Sequence, residues 1–378
     1  MSEEEFDYSG CIYDALVVGM GAAGVGVSAA LKHAEIENFM GLDRQMVGAS
    51  FARWPKEMRF ITPSFPTNSV GMVDINSVAL GTSPAYGLQV EHPTGLAFAS
   101  YLNNVVDAYD LPVLEQIDVK SITKEGDLFH LETSAKTLKA KHVVWAGGDF
   151  QYPNLNGFEG CEHCRHIATI PSYAGMKGDE FIVIGGYESG IDAAYHLAQR
   201  GKRVRVFDEG CPWEAETSDP SIALSPYTLE RLRSETFQRQ VDLFPNTPVE
   251  AVLAQDSGFQ VTTAKGQNFK TPIKPILATG FAGSHTLISH LFEKREDGYP
   301  LLSEHDESTL VPGIFLCGPA VRHEGEIFCF IYKYRQRFAV VAKRIATSLG
   351  LPAEVLEMYR DWGMYLDDLS CCGEECVC

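Results

Sequence analysis

The sequence lacks a long hydrophobic run, a basic leader and an excess of positive charge. None of its apolar stretches reaches the roughly 18 residues that a membrane-spanning helix needs. The first residues, Met1–Glu5, are acidic where a signal or transit peptide would be basic. The 31 basic and 50 acidic residues give a formal net charge of −19. Because such a charge repels phosphate backbones and anionic lipids, we expect a protein that binds neither nucleic acid nor membrane. The acidic start and the lack of a long apolar run lead us to expect a soluble, cytoplasmic protein.

Low-complexity segments are also absent, and the composition is that of a globular enzyme. Hydrophobic residues make up 45% and charged residues 21% of the 378 positions, which excludes a disordered chain. This length is sufficient for two domains with separate cores. The ten cysteines are expected to be redox-active, metal-binding or buried thiols, because structural disulfides are rare in a reducing cytoplasm.

The hydrophobic pattern predicts two βαβ units, each typical of a parallel sheet. In the first unit, strands at 13–18 and 38–42 flank a helix at 22–33. In the second, strands at 181–184 and 203–207 flank a helix at 189–200. Two further helices are predicted, at 94–109 and 332–349, and Thr94 is the expected N-cap of the first. Further strands are predicted at 113–117, 128–133 and 142–145.

Glycine-rich breaks divide the chain at Gly147-Gly148 and near 276–280. Together with the two βαβ units they predict an α/β fold of two Rossmann-type domains, the second inserted into the first. The expected boundaries are 1–150 and 278–369 for the two parts of the first domain, 151–277 for the second domain, and 370–378 for a cysteine-rich tail.

A complete G-x-G-x-x-G motif, residues 19–24, stands between the first strand and its helix. Gly19 allows the tight turn, Gly21 lets the backbone approach a pyrophosphate, and Gly24 lets the helix pack on the strand. The helix N-terminus then holds the phosphates through free N–H groups and its dipole. Asp43 lies 19 residues after Gly24, at the end of the next strand, where a carboxylate binds ribose hydroxyls. The motif therefore predicts a dinucleotide site, the alternative being a structural glycine turn.

The second unit carries a less regular motif at 185–190, Gly-Gly-Tyr-Glu-Ser-Gly. Tyr187 occupies the position of the middle glycine, where a side chain crowds a pyrophosphate. Asp208 and Glu209 follow the next strand, and carboxylates there favour NADH over NADPH because they repel a 2′-phosphate. The site is either an NADH site with a shifted turn or a degenerate one. Its expected contacts are Gly185, Gly186, Gly190 and Asp208.

Over nearly its whole length the chain resembles the flavoproteins with two dinucleotide-binding domains. This group contains the low-molecular-weight thioredoxin reductases, bacilliredoxin reductases and flavin-containing monooxygenases. The segments that carry the resemblance, besides the two glycine motifs, are 48–54, 59–63, 145–148, 278–280 and 312–318. The resemblance implies an enzyme with FAD in the first domain and NAD(P)H in the second, and it suggests a homodimer. The FAD contacts that it implies are Gly19, Gly21, Gly24, Asp43, Ser50, Trp54, Thr62, Gly147 and Gly318.

Two departures from the family pattern leave the subfamily open. Pro319 follows Gly318, where the thioredoxin reductases carry an acid that binds the ribityl chain of the flavin. The monooxygenase pattern F-x-G-x-x-x-H is matched at Phe158 and Gly160, but Cys164 stands in place of the histidine. We assign no catalytic role to four later residues, His323, Glu324, Arg335 and Arg337. Helical arginines in particular are more often solvated than functional.

Cys161 and Cys164 form a C-x-x-C motif that ends 21 residues before the second glycine motif. The thioredoxin reductases carry their redox pair in a similar place. The neighbouring His163 and Arg165 are expected to lower a thiol pKa and favour the thiolate. The two cysteines are then either a redox pair that receives electrons from the flavin or ordinary thiols in an interdomain turn.

The last eight residues contain four more cysteines, of which Cys371 and Cys372 are adjacent. The tail resembles the C-terminal redox arms of mercuric reductases and high-molecular-weight thioredoxin reductases. Alternatively it binds a soft ion such as zinc or copper(I), or it has no role.

These observations leave three hypotheses for the function. In the preferred one, NAD(P)H reduces FAD, and electrons pass through Cys161 and Cys164 or through the tail to a small-molecule or protein disulfide. In the second, the protein is a flavin monooxygenase that uses O₂. In the third, it is a flavin or soft-metal redox sensor without turnover.

Overall fold

A computed structural model describes residues 10–65, 73–217 and 219–370 of the chain. The strands are β1 (Ile12–Val18), β2 (Phe39–Leu42), β3 (Val113–Leu114), β4 (Val119–Glu125), β5 (Leu128–Thr133), β6 (Thr137–Trp145), β7 (Arg165–His166), β8 (Glu180–Ile184), β9 (Arg203–Phe207), β10 (Val241–Phe244), β11 (Val249–Gln255), β12 (Gly258–Thr263), β13 (Asn268–Thr271), β14 (Ile276–Leu277), β15 (Ile314–Leu316), β16 (Arg322–His323) and β17 (Glu326–Ile327). The α-helices are α1 (Ala22–His33), α2 (Ala49–Ala52), α3 (Pro84–Leu88), α4 (Gly95–Tyr109), α5 (Glu188–Ala198), α6 (Pro226–Leu232), α7 (Glu235–Gln240), α8 (Ile331–Tyr334), α9 (Phe338–Ser348) and α10 (Met358–Asp361).

The first sheet has the strand order β3-β2-β1-β6-β5-β4, and β15 pairs with β6. Strands β3, β2, β1, β6 and β15 run parallel, whereas β4 and β5 are antiparallel additions. Helix α1 connects β1 to β2 and is buried from Ala22 to Leu31. A Cβ on Gly26 would lie 2.0 Å from the Phe338 ring, so the late helix α9 packs directly on α1. The two ends of the chain therefore build one domain.

The second sheet has the order β10-β9-β8-β14-β7, and all of its pairings are parallel. Helix α5 connects β8 to β9 and packs its apolar face on the core of this sheet. A three-stranded antiparallel sheet, β11-β12-β13, follows. All these strands lie between β6 and β15 in sequence, which confirms that one α/β domain is inserted into the other.

Most of the predicted elements are confirmed. Thr94 caps α4 as expected, and its Oγ1 accepts the Ala97 N–H at 3.0 Å. The predicted strand at 113–117 is limited to two residues. Among the helices in the described ranges, none is long and apolar enough to cross a membrane.

The segment predicted as one helix at 332–349 is helical from 331 to 348, but it is not a regular α-helix throughout. The segment consists of α8, a 3₁₀ turn at Arg335–Arg337, and α9. The arginines of the turn are 4% and 1% exposed, and their side chains point into the protein.

Candidate functional site

The first glycine turn joins β1 to α1 and leaves the start of the helix open. Gly19 has a φ of +96°, a conformation that glycine adopts without strain. A Cβ on Gly24 would lie 1.8 Å from the Gly19 carbonyl oxygen, so α1 packs directly on the turn. Among the described residues, nothing lies within 4 Å of the point that a Cβ on Gly21 would occupy, and no side chain caps the helix. This is the arrangement that binds a phosphate at a helix N-terminus.

Asp43 follows β2 and is fixed beside this turn. Its Oδ2 accepts the Met20 N–H at 2.8 Å, and its Oδ1 accepts the Gln45 N–H at 2.8 Å. The residue is only 8% exposed, and burial raises the pKa of its carboxyl in spite of these hydrogen bonds. It lines a narrow cavity together with Gly19 and Gly147. The carboxylate is thus held where the ribose of a dinucleotide is expected.

Gly147 and Gly318 bring two further strand ends to the same turn. Gly147 follows β6, and a Cβ there would lie 2.7 Å from the Ser284 hydroxyl oxygen. Gly318 follows β15 with a φ of +108°, and a Cβ there would lie 3.1 Å from the Cβ of Ala23 in the first turn of α1. A side chain at Gly147 would clash with Ser284, and one at Gly318 would be strained by its positive φ, so glycine is required at both strand ends.

The other residues assigned to FAD lie in the segment after β2. Ser50 is in α2, and its Oγ accepts a hydrogen bond from Gln151 Nε2 at 3.0 Å. Trp54 belongs to an aromatic cluster. The carbonyl of Thr62 accepts a hydrogen bond from Asn76 Nδ2 at 2.9 Å. Their contacts with a cofactor stay predictions.

Two buried polar atoms without partners lie next to Gly147. Asp149 Oδ1 and His285 Nδ1 have no hydrogen bond within the described part of the chain. Both atoms are within 3 Å of the point that a Cβ on Gly283 would occupy, at 2.9 Å and 2.6 Å. Buried polar atoms rarely stay unpaired in folded proteins. The open turn and these orphaned atoms fit a large polar cofactor such as FAD.

Asp149 and His285 were not predicted as site residues. Burial raises the pKa of Asp149 to about 6, although Arg322 opposes this shift, and burial lowers the pKa of His285. Asp149 directly follows the glycine pair 147–148, and that position was the one available signal. No local pattern marks His285, because a distant part of the chain brings it to Asp149.

The raised pKa of Asp149 predicts a pH-dependent stability of the FAD-free protein. The carboxyl of Asp149 binds its proton more tightly in the folded state than in the unfolded state, where its pKa is near 3.8. The free energy of unfolding therefore falls as the pH rises through about 4 to 6. We expect Asp149→Asn to raise the free energy of unfolding by roughly 1–3 kcal/mol near neutral pH. The same substitution should change it little near pH 4. Urea unfolding at the two pH values checks this, and an equal effect at both contradicts it.

The second glycine turn reproduces the backbone of the first. Gly185 has a φ of +99°, and a Cβ on Gly190 would lie 1.9 Å from the Gly185 carbonyl oxygen. Asp208 Oδ2 accepts the Gly186 N–H at 2.6 Å, as Asp43 does with Met20. A Cβ on Gly186 would lie 2.4 Å from the ring of Trp213, which explains why glycine stands there. The carboxylate expected to bind a ribose is in place in both domains.

Cys161 and Cys164 pack in the second domain instead of facing an open site. Cys161 is 3% exposed, and its Sγ accepts the Phe158 N–H at 3.3 Å. Burial, with smaller contributions from Cys161 and Glu162, raises the pKa of Cys164 to about 12. The expectation that His163 and Arg165 lower this pKa is therefore wrong, because burial in an apolar cluster dominates and Lys274 is the cation that opposes it. At neutral pH Cys164 is a thiol and a poor nucleophile.

The tail, with Cys371 and Cys372, lies outside the described residues, and its roles stay predictions. Within the described ranges, no group of three or more His, Cys, Asp or Glu side chains is placed to hold a metal ion.

Arg335 and Arg337 are buried, which corrects the expectation that they are solvated. Arg337 donates to both oxygens of Asp306 at 2.9 Å, and Asp306 Oδ1 also lies 2.5 Å from His323 Nε2. Arg335 donates to the carbonyl of Asp74. These contacts stabilise the packing of the segment before α9 against the rest of the first domain.

A cavity of about 580 Å³ lies beside His323 and Arg322. None of the residues assigned to a cofactor lines it. The glycine turns, and not this cavity, are therefore the candidate site.

A glycine turn with a fixed carboxylate, repeated in an inserted second α/β domain, defines an oxidoreductase with two dinucleotide-binding folds. Residues 16–318 match the family of the pyridine nucleotide-disulphide oxidoreductases. The chain belongs to this family and is an FAD-dependent oxidoreductase. Family membership implies FAD and a pyridine nucleotide as cofactors.

Relatives include both disulfide reductases and monooxygenases. Bacilliredoxin reductase Bdr of Bacillus subtilis (strain 168) is 23% identical over 322 residues, which are 83% of this chain and 92% of that protein. Bacillithiol disulfide reductase Bdr from Bacillus cereus superimposes with a TM-score of 0.71 at 20% identity, over 88% of this chain and 98% of that one. A flavin-containing monooxygenase from Stenotrophomonas maltophilia gives a TM-score of 0.69 at 17% identity, over 89% and 98%. At these identities the structural likeness establishes the fold alone.

Proposed function

We propose that this protein is an FAD-dependent disulfide reductase that uses NADH in preference to NADPH. The observation that carries the FAD dependence is the open turn at Gly19–Gly24 with Asp43 fixed beside it, and disulfide reduction is supported by the names of the relatives. The overall reaction oxidises one NADH to NAD⁺, consumes one proton, and reduces one disulfide to two thiols. Bacillithiol disulfide is the first substrate to test, because relatives of this chain are named for bacilliredoxin and bacillithiol disulfide reduction.

The residues of the first domain would hold FAD by its phosphates and ribose. The N–H groups at the start of α1 would bind the pyrophosphate, and Asp43 would accept hydrogen bonds from the ribose hydroxyls. When bound, FAD relays two electrons between the nicotinamide and the disulfide. Asp149, whose pKa is raised to about 6, is suited to hold or release a proton near neutral pH beside the cofactor.

The preference for NADH is supported by the acids that follow β9. Asp208 stands at the position of a ribose-binding carboxylate, and its two oxygens accept the N–H groups of Gly186 at 2.6 Å and Gly210 at 2.8 Å. A 2′-phosphate placed there would face this negative charge and that of Glu209. NADPH is therefore the less favoured donor.

The tail is the better candidate for exchange with the substrate disulfide. A thiol must become a thiolate to attack a disulfide, and the raised pKa of Cys164 and the burial of Cys161 oppose this. We therefore assign the exchange to Cys371 and Cys372. The burial of the C-x-x-C motif also favours the second candidate function, a monooxygenase that needs no thiol.

Anaerobic reduction experiments distinguish these functions. We expect NADH to bleach the flavin absorbance of the purified protein more efficiently than NADPH. Bacillithiol disulfide, glutathione disulfide or cystine should then restore the absorbance and yield two thiols for each NADH. If no disulfide restores it, and O₂ is incorporated into an organic product instead, the monooxygenase assignment replaces the proposal.

A further inference from the structure

The two glycine turns have the same backbone but different surroundings. The residue that precedes each helix has a φ of −83° in both, with a ψ of −162° at Gly21 and −167° at Tyr187. The two first glycines also agree closely, with φ values of +96° at Gly19 and +99° at Gly185. A side chain on Tyr187 therefore leaves the backbone in the direction that is open above Gly21. In the first domain that space is available to a pyrophosphate.

Tyr187 is tied to a segment that lies against the second turn. Its hydroxyl donates to the carbonyl oxygen of Pro220 at 2.5 Å and lies 3.2 Å from that of Ala223. Two backbone carbonyls thus hold the phenol ring over the turn. We call residues 219–228 the covering segment.

Glu188 ties the same segment to the first turn of α5. Its Oε1 accepts the Ser225 N–H at 2.5 Å, and its Oε2 accepts the Thr228 hydroxyl at 2.5 Å. A carboxylate is favourable at the positive end of a helix, so Glu188 already supplies the negative charge that a phosphate would bring. The corresponding position in α1 is Ala22, and the first turn of α1 contains no acid.

We propose that Tyr187, held by the covering segment, excludes a dinucleotide pyrophosphate from the second domain, so that NADH binds only when this segment moves away. The ribose carboxylate Asp208 stays available, but the phosphate position is filled by the ring and bordered by Glu188. Tyr187 is then the residue that determines the access of a nucleotide to this domain. The inference rests on the proposed function only in that a pyridine nucleotide is the electron donor.

Equilibrium binding of NADH to Tyr187→Gly tests the inference. We expect calorimetric titration to give weak binding for the unmodified protein and binding at least about tenfold tighter for the variant, because an overpacking clash is removed. Tyr187→Phe keeps the ring and loses the two contacts of the hydroxyl, so its gain should be smaller. Tyr195→Phe, two turns further along α5, is the matched control and should not change NADH binding.

Three results would overturn the inference. They are micromolar NADH binding by the unmodified protein, no tightening in Tyr187→Gly, and an equal gain in Tyr187→Phe. FAD content, measured by absorbance, should be equal in all variants, because the cofactor is expected in the other domain, and circular dichroism reports that each variant is folded. Failure of the proposed disulfide reductase activity would leave these binding constants unaffected, so the two failures are distinguishable.

Discussion

Gly21→Ala is expected to lower FAD affinity by about two orders of magnitude, which corresponds to about 2.8 kcal/mol. The new Cβ enters the space above the turn, where no atom of the described part of the chain lies within 4 Å. The φ of Gly21, −83°, is normal for alanine, so the polypeptide itself should fold as before. The loss therefore reports a clash with the pyrophosphate and not with the protein. Absorbance of the purified protein and titration of the FAD-free form with FAD measure it.

Two other glycines provide controls for this prediction. Gly87→Ala, also with nothing within 4 Å of its Cβ position, lies away from the turn and should leave FAD binding unchanged. Gly24→Ala places a Cβ 1.8 Å from a carbonyl oxygen and should destabilise the domain itself. Normal FAD content in Gly21→Ala would contradict the site.

The double variant Cys371→Ser with Cys372→Ser is expected to lose disulfide reduction by at least about 100-fold, since without a thiolate there is no exchange. FAD content and the reduction of the flavin by NADH should be unchanged, because neither cysteine is assigned to the cofactor. Turnover with bacillithiol disulfide and stopped-flow bleaching of the flavin measure the two quantities separately.

The matched control is Cys161→Ser with Cys164→Ser. These thiols are buried or half-buried, and the pKa of Cys164 is raised to about 12, so we expect at least half of the activity to remain. If this variant loses activity and the tail variant keeps it, the C-x-x-C motif is the redox pair. The second domain must then open to expose it.

Local sequence was sufficient to predict the first glycine turn and the acid beside it. Strand, glycine turn, helix and acid follow one another within 13–43, and each is determined by residues close to it in sequence. The helix at 22–33, the Thr94 cap and the position of Asp43 were predicted for the same reason. The 3₁₀ turn inside the helix at 332–349 and the burial of Arg335 and Arg337 were not predicted, because these side chains contact distant segments.

The sequence by itself determined that this protein has two dinucleotide-binding folds and an FAD-type turn, because backbone conformation at glycines and helix ends depends on neighbouring residues. Only the tertiary structure decided that Cys164 is a weakly acidic thiol, that Asp149 and His285 meet, and that Tyr187 is tied to the covering segment. Burial and electrostatic environment depend on which distant segments pack together. No local pattern records that packing.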